Sequence, residues 1–283
     1  MPGQLYVEAF GKLEKDDDLA ARILEDGREE HFLRVFEGQA EILGWSTGWS
    51  NKADDRPEPL WGAHEAELTT AGGGDDPIGF ISVNVGFGSP VPSEPTPPPP
   101  PGGKHYANLG WHRRSWDPAP VLPALIQCFH DSLSRFGEVE LTGIQVFGLD
   151  FDPRMERFTT APDWFNIGSK QRTEAIIAFD AGLFGLHADP SMITERLTVK
   201  TGQFRLGPMV DLPEEYALRR VGEQWPFMIS VSPYEGLSAS LPEWSPSAIG
   251  YALGMVTDLA AKIDPTPANF ALRITRVPLD PSS

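Results

Sequence analysis

The stretch YANLGWHRRSW, residues 106–116, gathers the side chains best suited to chemistry. His112 stands beside Arg113 and Arg114. An imidazole titrates near neutral pH and serves as a general acid–base, while a neighbouring guanidinium holds a carboxylate or phosphate. On that reading the chain is a metal-free enzyme: His112 moves a proton and Arg113 or Arg114 fixes an anionic substrate. The plainer reading is that the basic triplet pairs with neighbouring acids.

Other chemistry finds little support. There is no H-E-x-x-H, C-x-x-C or Walker loop. VGFGSP (85–90) offers G-x-G after a strand, but a proline-rich run follows where a phosphate site needs a helix N-terminus. The six histidines are scattered, and HEAE (64–67) splits His64 from Glu65 and Glu67 across a strand. No metal and no cofactor is expected. DFD (150–152) reads as a strand-end turn. The acidic runs KDDD, ADDRPE and GGGDD read as solvated loops or caps. Cys128 lies in an apolar helical stretch and reads as a small buried hydrophobe.

Charge narrows the partners. Lys and Arg total 23 against 40 Asp and Glu, a net charge of −17. Such a field repels nucleic acid and anionic membranes and speeds encounter with a basic partner. The single cysteine excludes an internal disulfide. The first residues carry no basic, apolar leader, and no stretch reaches the length of a membrane helix, so a cytoplasmic location is expected.

The elements that must position these side chains come in two echoing sets. RRSWDPAPVLPAL (113–125) returns as LPEWSPSAIGYAL (241–253). In each, a tryptophan precedes an Asp or Ser able to cap a helix and a proline suited to its first position. Leu122, Leu125, Ile126, Phe129 and Leu133 follow at helical spacing in one copy. Ile249, Leu253, Val256, Leu259 and Ile263 follow in the other. Strands are predicted next at 141–148 and 270–277. Upstream, GFISVNVGFG (79–88) resembles PFMISVSPYEG (226–236) around a shared ISV, with a proline-rich insertion at about 89–108 in the first copy only. That insertion reads as a surface spacer loop. Further strands are predicted at 4–13, 40–50, 63–70, 172–182 and 197–207. Helices are predicted over about 15–38, at 189–197 and at 212–222.

This order gives an α+β fold of two ferredoxin-like, split βαβ repeats packed as a pseudo-dimer, with antiparallel sheets and helices on one face. The boundaries are 1–153, carrying the proline-rich loop, and 154–283. Whether the repeats share a sheet, and the oligomeric state, are left open at this level.

Aromatic side chains concentrate in the first repeat. Trp45, Trp49 and Trp61 lie in LGWSTGWSNKADDRPEPLWG, and Trp111 precedes the basic triplet. Trp and Arg anchor protein interfaces, so Trp45, Trp49, Trp61, Trp111, His112 and Arg114 are the candidate partner-binding residues. The GWS segment before the GFISVNVG strand, with a proline-led helix and a closing strand after it, resembles immunity proteins of bacterial polymorphic toxin systems over about residues 30–148. That resemblance implies a non-enzymatic protein that neutralises a cognate toxin by contact, and it carries over no catalytic residue. A protein-binding protein with a basic protein partner is therefore the leading expectation. The alternatives are a metal-free enzyme or binding protein with a small-molecule pocket between the repeats, and an assembly component.

Overall fold

Alternation dictates the first strand. Leu5, Val7 and Ala9 are fully buried on one side of β1 (Gly3–Lys15), and Lys12 and Glu14 reach solvent on the other. The computed structural model describes residues 3–16, 30–42, 61–68, 77–85, 121–151, 172–180, 204–218, 234–263 and 268–278. Among these, the elements after β1 run α1 (Glu30–Ile42), β2 (Trp61–Leu68), β3 (Gly79–Val85), α2 (Val121–Leu133) and β4 (Gly137–Phe151). Then come β5 (Thr173–Asp180), β6 (Arg205–Val210), a 3-10 turn at Glu214–Tyr216, β7 (Tyr234–Leu241), α3 (Pro246–Ile263) and β8 (Ala268–Arg276).

The strands form one eight-stranded sheet in the order β2-β3-β1-β4-β8-β5-β7-β6. Each neighbouring pair is antiparallel. The seam between the two echoing sets is the β4–β8 pair, with Ile144 opposite Ile274 at its centre. The sets thus share a sheet. The fold is mixed α and β, with an antiparallel sheet and, among the described residues, three α-helices.

All three helices bury apolar side chains in the same core, against the strand face that carries Leu5, Ile81, Ile144, Ile177, Leu237 and Leu272. The spacing read from sequence holds in α2, where Leu122, Leu125, Ile126, Phe129 and Leu133 are all buried, with Cys128 beside them. Burial raises the Cys128 thiol to about 12, with the nearby Asp131 charge adding to it. In α3 the cap expected of Ser245 is present: its Oγ accepts the Ala248 N–H at 3.2 Å. Trp244 packs against the core, and its indole Nε1 donates to the Leu141 carbonyl at 2.8 Å. The corresponding start at Trp116–Asp117–Pro118 and the proline-rich insertion lie outside the described residues.

The two helices nearest the seam meet closely. Ser247 Oγ donates to Gln127 Oε1 at 2.8 Å, and a Cβ on Gly250 would stand 2.5 Å from Pro123 Cα. Glycine is what lets α3 approach the backbone of α2.

Several expectations need correction. Residues 40–42 continue α1 instead of opening a strand, because Ala40 follows Phe32 and Phe36 at four-residue spacing onto the same core. The second-set strand before Trp244 is β7, YEGLSASL, and the ISV echo at 229–231 lies outside the described residues. Its small residues hide a clear alternation in which Leu237, Ala239 and Leu241 are buried. Of the strand expected at 197–207, residues 197–203 lie outside the described residues, and β6 runs from Arg205 past its expected end to Val210. β4 runs on through Asp150 to Phe151, into the DFD stretch expected as a strand-end turn. Finally, 212–222 does not open as a helix. Pro213 and Ala217 are extended on either side of the 3-10 turn, and Leu218 goes into an apolar cluster on the sheet.

Candidate functional site

The side of the sheet turned away from α1, α2 and α3, its second face, holds three buried polar groups in a row. Strands covered on both faces usually read as continuous apolar runs. Here single polar residues interrupt them: Glu8 in YVEAF, Gln145 in GIQVF and Arg273 in ALRIT. Register sets them side by side. Phe80, Glu8, Gln145, Arg273 and Ala178 stand in one cross-strand row over β3, β1, β4, β8 and β5. Glu8, Gln145 and Arg273 are 5%, 0% and 3% exposed, so their polar groups depend on protein partners.

Those partners follow from the row. Gln145 Nε2 donates to Glu8 Oε2 at 2.8 Å. The Arg273 guanidinium lies 4.8 Å from the centroid of the Phe10 ring, a cation–π distance. Its Nη1 donates to the Ala217 carbonyl at 2.5 Å. A buried carboxylate and carboxamide are thus bonded to each other on β1 and β4, and a guanidinium stands in register beside them on β8, across the seam. At the β5 end of the row, Ala178 joins Phe147, Ala271 and Leu218 in a small apolar cluster, with Tyr6 and Leu212 packed on it. Chemically, this arrangement fixes register and holds charge in a dry site. A buried charge of this kind costs stability when its hydrogen-bond partner is removed.

The second face changes character towards the far end of β1 and β4. Phe10 pairs with Gly143 and Gly11 with Leu141, so Thr142 is an extra residue in β4. Gly11 has φ +145°, and a Cβ there would stand 2.0 Å from the Glu140 carbonyl oxygen, so the irregularity demands glycine. The extra residue shifts Leu141 and Val139 onto the core side and brings Glu140 and Glu138 opposite Lys12 and Glu14. Lys12 forms an ion pair with Glu14. Its ammonium is held above its usual range, first by the Glu14 hydrogen bond and charge, then by Glu140 and Glu138. Three exposed carboxylates therefore surround one cation on a rigid strand pair.

Of the residues singled out from the sequence, Trp45, Trp49, Trp111, His112, Arg113 and Arg114 lie outside the described residues. Trp61 opens β2, the first strand in the sheet order, where it pairs with Val85. Among the described residues no group of three His, Cys, Asp or Glu side chains could hold a metal ion. Nor, among them, is any helix long and apolar enough to cross a membrane. Between β6, β7 and α3 lies a hollow of about 10 Å³ lined by Phe204, Leu206, Ala239, Leu241, Ala252 and Met255. It has room for about one water molecule.

Sequence reading missed Glu8, Gln145 and Arg273. The available signal was a polar residue at an alternate position inside an apolar strand. Their convergence depends on pairing between distant strands. Comparisons with protein-family models, with curated proteins and with solved structures find no match to this chain.

Proposed function

We propose that the chain is a non-enzymatic, cytoplasmic protein-binding protein of the immunity type, which neutralises a basic toxin by contact. The observation that carries this reading is the carboxylate cluster of Glu14, Glu138 and Glu140 around Lys12, presented on β1–β4 in a chain of net charge −17. An acidic patch on a stiff support attracts a basic partner and orients it before contact. Trp45, Trp49, Trp61, Trp111, His112 and Arg114 are proposed to supply the aromatic and basic anchors of the same interface.

The architecture proposed to support it is a pseudo-dimer of two ferredoxin-like halves. The order β2-β3-β1-β4 in the first set corresponds to β6-β7-β5-β8 in the second, read from the opposite edge. Both are the order of a split βαβ unit. A small-molecule pocket between the halves is less favoured, because β4 pairs directly with β8 and Gly250 sits on Pro123.

The test is co-purification of the products of neighbouring genes with the tagged chain at low salt, repeated with Glu14→Gln, Glu138→Gln and Glu140→Gln combined. A stoichiometric basic partner, weakened by salt and by the triple variant, supports the reading. A partner that binds equally well to the variant refutes the acidic interface. No partner across a range of salt concentrations refutes the function.

A further inference from the structure

The segment Asp211–Leu218 is built differently from the sheet it lies on. Its backbone bonds Tyr216 N–H to Pro213 O, at 2.9 Å, and Ala217 N–H to Glu214 O, at 3.1 Å, close on the segment itself. Asp211, Pro213, Glu214 and Glu215 are exposed, and Leu218 is buried. Leu218 sits on Phe147, Ala178 and Ala271, from β4, β5 and β8, with Leu212 at the margin. The Ala217 carbonyl accepts from Arg273, whose guanidinium also stacks on Phe10. Among the described residues, the Leu218 plug with Leu212 beside it, and a charge-assisted hydrogen bond from Arg273, join the segment to the second face.

We propose that Asp211–Leu218 is a strap that lifts from the second face as a local unit, with Arg273 as its latch and Leu218 as its plug. Segments with little buried apolar area and self-closed backbone bonds open well below the free energy of global unfolding. Lifting this one bares the apolar patch of Phe147, Ala178 and Ala271 at the seam. It also frees the Arg273 guanidinium from a backbone carbonyl while Phe10 still supports it. Access to the seam is then set by a strap whose hold depends on two side chains. This device is independent of the acidic interface on β1–β4.

Native-state hydrogen exchange on the full chain tests it. The amides of Tyr216 and Ala217, whose single-turn bonds do not survive once the segment lifts from its support, are read against those of β5 and β8. The first variant is Arg273→Lys, which keeps the charge in the row but loses the planar fork that stacks and donates together. It should accelerate both strap amides by the same factor, roughly tenfold or more, as expected for loss of a charge-assisted hydrogen bond. The β5 and β8 amides should stay at their parent rates. Leu218→Ala, which leaves the guanidinium in place, should give the same pattern. It also decides the matter if the lysine variant does not fold. The proposal is overturned if Leu218→Ala, or a folded Arg273→Lys, speeds strap and sheet amides by equal factors. It is overturned equally if neither moves the strap amides.

Discussion

Replacing one glycine by alanine on two different helices should change stability in opposite directions. Gly38 lies in α1, and a Cβ built there meets nothing within 4 Å. Only the intrinsic helix preference then acts, and Gly38→Ala should stabilise by about 1 kcal/mol. Gly250 lies in α3, where the same Cβ would stand 2.5 Å from Pro123 Cα, 3.0 Å from Pro123 N and 3.1 Å from the Leu122 carbonyl oxygen. Carbon atoms in contact prefer about 3.5–4.0 Å, so α3 must move off α2 by roughly 1 Å. All three obstructing atoms are backbone, so no side-chain rotation relieves them. Overpacking of this kind costs about 1–3 kcal/mol, and a backbone clash belongs at the upper end. Subtracting about 1 kcal/mol of helix preference leaves a net loss of about 2 kcal/mol for Gly250→Ala. Urea unfolding of the three proteins is the assay. With a slope of about 3 kcal/mol/M, the midpoint should fall by about 0.7 M for Gly250→Ala and rise by about 0.3 M for Gly38→Ala. A Gly250→Ala protein as stable as the parent, with Gly38→Ala behaving as expected, would show that α2 and α3 do not meet at this glycine.

Two further outcomes follow from the core. Trp244→Phe keeps the ring over the core but removes the donor to the Leu141 carbonyl. It should cost about 1–2 kcal/mol, since a buried acceptor loses its partner, and chemical unfolding measures it. The Cys128 thiol is raised from 9.0 to about 12 by burial. Its contribution is therefore fully present below pH 9 and declines as pH rises from there towards 12, where only the unfolded chain readily deprotonates it. The unfolding midpoint of the parent should fall more steeply above pH 9 than that of Cys128→Ala. Equal slopes would contradict the burial of the thiol.

The local signals decided α2, α3 and most of the described strands. Ser245, Pro246 and the periodic apolar residues of α3 define that helix within its own sequence, and the cap forms as the residue types dictate. β1, β3, β5 and β8 were legible from their alternation, because period two is a property of each strand alone. Reading failed where a neighbour outweighs the local preference. The residues LPEEY favour a helix by composition, yet Leu218 and the Ala217 carbonyl are taken by the sheet and by Arg273. β7 escaped notice because glycine and serine are poor strand formers, and only burial of Leu237, Ala239 and Leu241 defines its inner side.

The candidate site divides in the same way. The sequence by itself determined that this is an acidic α+β chain with two echoing sets of elements, because charge, caps and periodicity are local or additive. Tertiary structure alone decided that the sets share one sheet through β4 and β8. It also decided that Glu8 meets Gln145 from 137 positions away, and that Arg273 joins them beside Phe10. Each of those contacts depends on the register of strands far apart in the chain. A shift of one residue would turn every one of these side chains to the other face. No local preference encodes that register. It is fixed by the collective burial of the apolar faces that pack beneath the three helices.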